Sequence, residues 1–228
     1  MRRKTLLGVA TAIAILLSAC QTQIMDHRWD EIISPVVQVF WGSEWMGSGT
    51  VIGVYQEDDT CYAYVLTAAH VVNSDGMGTP PTNLAVGVSW GESWIAPAEV
   101  VSADFALDLA LLKTPYEARY VALVRLSPVP LDVFTPSYAV GVSAFDVPIA
   151  NIGEVTWVDD AHKFVYSSSH INYGYSGGGL YVEEDGHWVL VGVTSFCGAG
   201  PLPYFHAAGF IDIRAALTWF TTIGFEFP

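Results

Sequence analysis

From Pro35 onward, apolar residues recur with a period of two, in runs too short for ordinary helices and separated by turn residues. Residues 36–40, 49–55, 62–67, 84–88, 98–101 and 109–112 read as strands, followed by 138–142, 152–157, 164–167, 180–183 and 187–193. Asp185-Gly186 between the last two is a hairpin turn, because the glycine accepts the positive φ that such turns demand. Only the end has a helical pattern: Asp212 can cap residues 213–220, and Gly224 follows as a stop. About a dozen short strands and one terminal helix make an all-β barrel or sandwich architecture. A chain that is 52% apolar and 13% aromatic has ample material for its core.

The N-terminus has to be set aside before the fold is argued. Arg2, Arg3 and Lys4 precede an apolar run, Leu6 to Leu17, that is shorter than the roughly 20 residues a membrane span needs. Leu17-Ser18-Ala19-Cys20 then resembles the lipobox of bacterial lipoproteins. That resemblance implies a signal peptide over 1–19, cleavage before Cys20, and lipidation of Cys20 as a membrane anchor. Residues 20–33 become a tether, with a helical turn around Trp29-Asp30-Glu31. Gln21 after Cys20, rather than Asp, points to the outer membrane of the cell envelope, facing the periplasm. The mature chain would hold six basic against 23 acidic residues, a formal charge of −17. Such acidity repels phosphate backbones and argues against nucleic-acid partners.

Three segments carry chemistry. Leu66-Thr67-Ala68-Ala69-His70 ends an apolar strand in an imidazole. Leu107-Asp108-Leu109-Ala110-Leu111 sets a lone carboxylate before another. Gly174-Tyr175-Ser176-Gly177-Gly178 places a serine among glycines. Separately, each has a structural explanation as a satisfied His, a strand cap or a turn. Together they are the nucleophile, base and orienting acid that serine hydrolysis needs. Glycines let the chain turn tightly enough to leave backbone N–H groups for an oxyanion hole, assigned to Gly174 and Ser176. The same serine motif fits the elbow of α/β-hydrolases, but that elbow requires a helix next, and here a hairpin follows.

The order His, Asp, Ser with these motifs is similar to the trypsin-like serine peptidases. Ser34-Pro35-Val36-Val37, Gly47-Ser48-Gly49-Thr50, Asp108-Leu109-Ala110-Leu111 and Ile171-Asn172-Tyr173-Gly174 resemble the HtrA/Deg branch, without its PDZ domain. The resemblance covers about Ser34 to Arg214. It implies two six-stranded antiparallel β-barrels, at about 34–115 and 137–212, joined by 116–136 and followed by a short helix over 213–222. It implies His70, Asp108 and Ser176 as a catalytic triad, protein or peptide substrates, and no cofactor or metal. It also puts Cys61 and Cys197 in different barrels, away from each other.

Two departures from that branch stand beside the nucleophile, where Tyr173 and Tyr175 replace Pro and Asn; a third is Gly179 in place of Pro. Bulky Tyr175 bears directly on the shape of the oxyanion hole. The resemblance forms the substrate pocket from His170, Ile171, Ser195, Phe196 and Cys197. His170 at its base would select acidic or amide side chains; with His170 turned into the barrel, Ile171 and Phe196 leave a medium apolar pocket. His27, His162, His187 and His206 lack a partner motif and read as surface residues. The expected function is a membrane-anchored serine endopeptidase. The alternative is a catalytically weak or inactive relative that binds proteins at the cell envelope.

Overall fold

The computed structural model describes residues 28–73, 81–88, 93–116, 123–143, 147–199 and 206–226. The expected signal peptide, Cys20, Gln21 and His27 lie outside the described residues. Seven strands make the first sheet: β1 (Val36–Trp41), β2 (Glu44–Glu57), β3 (Thr60–Thr67), β4 (Leu84–Val88), β5 (Trp94–Pro97), β6 (Glu99–Asp104) and β7 (Leu109–Pro115). Their order is β5-β4-β1-β2-β3-β7-β6, so the two edge strands are joined through Ala98 alone. Pro97 has no N–H to offer a ladder. Its carbonyl accepts from Thr114 Oγ1, while the Ala98 N–H turns back to Leu84 O. Strands β5 and β6 thus form one bent strand that curls the sheet into a half-barrel.

The second sheet holds β8 (Arg125–Leu126), β9 (Pro136–Val142), β10 (Pro148–Asp159), β11 (Phe164–Ser167), β12 (Gly179–Glu184), β13 (His187–Ala199) and β14 (His206–Asp212). Six of these close a barrel, because β12 pairs with both β9 and β13; β8 adds in parallel to β13. The expected pair of barrels is present, with the first left open between strands and the second carrying this extra short strand. The Asp185-Gly186 turn has φ of 52° and 80° and joins the paired residues Glu184 and His187.

Continuous apolar runs such as Leu109-Ala110-Leu111-Leu112 arise because their strands are buried on both faces. Ala110 and Leu112 fill the first barrel with Val37, Val39, Val51 and Val65. Leu109 and Leu111 point the other way, into a cluster with Val140, Ile211 and Trp219 that welds the barrels together. Phe210, Leu180, Val189 and Val191 fill the second barrel. Fully burying each such side chain contributes about 1.5–3 kcal/mol.

The chain ends are pinned to this core. Residues Trp29–Ile33 form one π-helical turn, with Ile32 and Ile33 buried. Glu31 accepts from the Trp188 N–H at 2.8 Å and meets His187 Nδ1 at 2.7 Å, and Arg28 lies over the Trp188 ring. Residues 28–33, expected as a tether, are therefore docked on the second barrel, and His187 is hydrogen-bonded to Glu31. His162 likewise meets Asp159 at 2.8 Å. Helix α1 (Ile213–Thr222) packs beside β13 and β14, and Asp212 caps it by accepting from the Arg214 N–H. The buried Asp212 carboxylate also holds the Arg214 side chain. Replacing Asp212 by Ala should cost about 1–2 kcal/mol, lowering Tm by several degrees. Asp212→Asn should cost less, because it keeps the cap; equal losses in thermal denaturation would contradict the capping role.

Candidate active site

Antiparallel pairing of β3 with β7 sets Thr67 opposite Ala110, so the residues just beyond these positions meet at one end of the first barrel. There His70 lies in a short 3-10 turn, Ala69–Val72, and Asp108 ends the turn that precedes β7. Asp108 has φ of 58°, a left-handed conformation that Asp tolerates better than most residues. This conformation lets both ends of the residue face the His70 turn. The Asp108 carbonyl accepts from the Ala69 N–H at 3.0 Å, and Oδ1 accepts from the His70 N–H at 3.0 Å. The His70 ring then brings Nδ1 to 2.9 Å from Oδ2, leaving its other nitrogen on the exposed side.

Ser195, on β13, donates its hydroxyl to the same Oδ2. Burial alone would push the Asp108 carboxyl up. The combined hydrogen bonds from His70 and Ser195, with the charge of His70, hold it below the ordinary aspartate range. The carboxylate is thus kept ionised and aimed at Nδ1.

The loop 171–178 brings Ser176 to the same place. Gly174 and Gly177 have φ of 92° and 82°. A Cβ on Gly174 would overlap the Trp45 ring, and one on Gly177 would overlap Thr67 Oγ1 and Ser48 O. Both positions therefore exclude side chains by conformation and by space. Ser48, fully buried on β2, ties this loop to the first barrel. Its Oγ donates to Gly174 O at 2.6 Å and accepts from the Val142 N–H at 2.8 Å; its own N–H donates to Ser176 O at 2.8 Å. Its carbonyl accepts from Thr67 Oγ1 at 2.7 Å, three residues before His70. Sequence reasoning gave Ser48 no role; a serine between two glycines ahead of an apolar strand was the available signal.

The N–H groups of residues 174–178 divide sharply. Those of Tyr175, Gly177 and Gly178 donate to Asn172 O, Thr194 O and Tyr175 O. Among the described residues, those of Gly174 and Ser176 donate to nothing. Two neighbouring unpaired donors beside a serine are what an oxyanion hole consists of. Tyr175 does not obstruct it. Its ring is 1% exposed, turned into the second barrel against Gly141, where its hydroxyl accepts from Asn151 Nδ2 and donates to Ile149 O. Burial pushes that hydroxyl up to about 12.

His70, Gly174 and Ser176 open on one cleft of about 560 Å³, which Met46, Tyr173, Ile171, Phe196 and Cys197 also line. Among the described residues, no carboxylate, ammonium or guanidinium lines it. His170 is exposed and outside this lining; its carbonyl is held by Asn151 Nδ2. Ser195 is also outside it, since its hydroxyl serves Asp108 rather than a pocket wall. Ile171, Phe196 and Cys197 do line the cleft, together with the uncharged polar residues Asn172 and Thr194. Cys61 and Cys197 are free thiols on different sheets.

Residues 47–193 match the family described as a trypsin-like peptidase domain. The chain belongs to that family. The matched span contains His70, Asp108 and Ser176. Among solved structures, the chain is similar to a serine endoprotease from Yersinia pestis, at 19% identity and a TM-score of 0.66. The alignment covers 87% of the chain and 65% of that endoprotease, so the chain spans under two thirds of its length. It is also similar to the MamO protease domain from Magnetospirillum magneticum, at 22% identity and a TM-score of 0.62, covering 84% of the chain and 98% of that domain. These likenesses establish the trypsin-like fold. No curated protein matches the chain in sequence.

The lowered pKa of Asp108 predicts a signed effect on stability. An aspartate held lower in the folded than in the unfolded state stabilises the fold above its unfolded pKa of about 3.9, and that contribution is lost as pH falls through the folded value. Wild type should therefore melt above Asp108→Asn at pH 6, with the gap closing below about pH 4. A gap that widens on acidification would contradict the assignment.

Proposed function

We propose that the chain is a serine endopeptidase that cleaves protein substrates through an acyl-enzyme. One observation carries this reading. An imidazole fixed at Nδ1 by a half-buried carboxylate shares a cleft with a serine beside which two N–H groups have no acceptor among the described residues.

In this mechanism Ser176 Oγ attacks the substrate carbonyl carbon while its proton passes to Nε2 of His70. The resulting oxyanion is met by the N–H groups of Gly174 and Ser176. The C–N bond then breaks as His70 returns the proton to the departing amine, leaving an ester on Ser176. Water, deprotonated by His70, releases the acid product by the same route. Asp108 orients the imidazole and stabilises its protonated form, and Ser195 positions Asp108. Among the described residues, the Ser176 hydroxyl and Nε2 of His70 have no hydrogen-bond partner; such contacts tighten when substrate enters. A cleft with no carboxylate, ammonium or guanidinium among the described residues suits an uncharged side chain before the scissile bond.

The lipobox-like Leu17-Ser18-Ala19-Cys20 would anchor this domain by lipid at Cys20, facing the periplasm from the outer membrane. A purely binding role would follow from a collapsed oxyanion hole, and the inward turn of Tyr175 removes the main reason to expect one.

Ser176 is partly exposed and its side chain anchors no hydrogen bond among the described residues, so Ser176→Ala should leave Tm essentially unchanged. Cleavage of an unfolded protein substrate should fall by more than about 10³-fold. Undiminished cleavage would refute the nucleophile assignment.

A further inference from the structure

Beyond Cys20, the chain has two cysteines, Cys61 and Cys197, and both are free thiols. Cys61 is half-buried on β3 of the first sheet. Cys197 is exposed on β13 and lines the cleft that holds His70 and Ser176. The peptidase mechanism gives this thiol no task.

A second group in the same cleft is also unused. Thr194 is 1% exposed, and its Oγ1 has no hydrogen-bond partner among the described residues. Its backbone is tied to the serine loop: its N–H donates to Gly178 O, and its carbonyl accepts from the Gly177 N–H. A buried hydroxyl left without a partner is a group that an incoming ligand can satisfy.

A bulge puts the two side chains on one face. Thr194 pairs with Phe210 of β14, Phe196 with Gly209 and Cys197 with Ala208, so Ser195 is an extra residue in β13. In a regular strand, residues three apart lie on opposite faces. With Ser195 as the bulge, Thr194 and Cys197 are two ladder steps apart and share a face, roughly 7 Å from each other along the strand. Both line the cleft.

We propose that Cys197 and Thr194 form a covalent site for a small amino-acid thiol of no net charge, which enters as its disulfide and closes the cleft reversibly. The Cys197 thiolate attacks one sulfur of the incoming disulfide. That S–S bond breaks, a new one forms to Sγ, and the other half leaves as a thiolate that takes up a proton. Cys197 is oxidised as the small disulfide is reduced, so no other oxidant is needed. The attached amino acid extends toward Thr194, whose Oγ1 donates to its carboxylate. The formal charge of −14, and a cleft without ammonium or guanidinium among the described residues, disfavour an anionic thiol or a second copy of the chain. A zwitterion meets no such repulsion. The adduct stands in the cleft in front of Ser176, and its effect on cleavage rests on the peptidase reading.

The test incubates the full chain with cystine and maps the products by mass spectrometry under non-reducing conditions. Cleavage of an unfolded protein substrate is read in parallel. Cysteine should be found on Cys197 and not on Cys61, cleavage should fall in proportion to Cys197 occupancy, and dithiothreitol should restore it. Cys197→Ser should cleave alike with and without cystine. In Thr194→Val, which keeps the side chain's shape and strand preference, free cysteine should remove the adduct about fivefold more readily, as the loss of one hydrogen bond requires. Absence of the adduct, attachment to Cys61 instead, or a disulfide-linked dimer overturns the proposal. So does an adduct that leaves cleavage intact, or equal removal from Thr194→Val. A Thr194-dependent adduct on a wild type that never cleaves refutes the peptidase reading alone. Cleavage without any adduct refutes only the covalent site.

Discussion

The site depends on one buried hydroxyl. Ser48 holds Gly174 O on one side and the Val142 N–H on the other, while its backbone secures Ser176 and receives Thr67. Thr67 lies in the strand that delivers His70, so the loop carrying the serine is fixed to the His70 side of the cleft by consecutive hydrogen bonds. A fully buried polar group that lost these bonds would cost about 1–3 kcal/mol for each partner left unmet. With the Gly174 carbonyl so held, and with the N–H groups of Tyr175, Gly177 and Gly178 tied elsewhere, those of Gly174 and Ser176 remain without acceptors among the described residues.

The Asp108 side of the site obeys a second constraint. Burying a carboxylate is unfavourable unless hydrogen bonds offset it. Here the offset comes from both barrels: His70 from the first and Ser195 from the second. The acid therefore senses whether the two barrels are correctly apposed, a condition met by the apolar cluster around Leu111, Ile211 and Trp219.

Much of this was legible in the sequence because it is local. The Leu109–Leu112 run, the Asp185-Gly186 turn and the Asp212 cap each declare themselves within a few residues. The motifs around His70, Asp108 and Ser176 were legible for the same reason, and the barrels bring them to one end of the molecule. What was not legible is set by contacts between residues distant in the chain. The Ser48–Gly174 bond spans 126 positions, Ser195–Asp108 spans 87, and His187–Glu31 spans 156. No local pattern says that Tyr175 turns inward to Asn151, that Ser195 serves the acid, or that residues 28–33 dock. The bend joining β5 and β6 escaped notice because Pro97 and Ala98 interrupt a strand whose continuation belongs to the opposite edge of the sheet.

The central claim is that Ser176 is an activated nucleophile in a competent oxyanion hole. Brief exposure of the full chain to a fluorophosphonate, followed by mass-spectrometric mapping of the adduct, tests it most directly. The account predicts a single adduct on Ser176 in wild type and none in His70→Ala. A well-folded wild type that remains unlabelled, or one labelled at another residue, would contradict it.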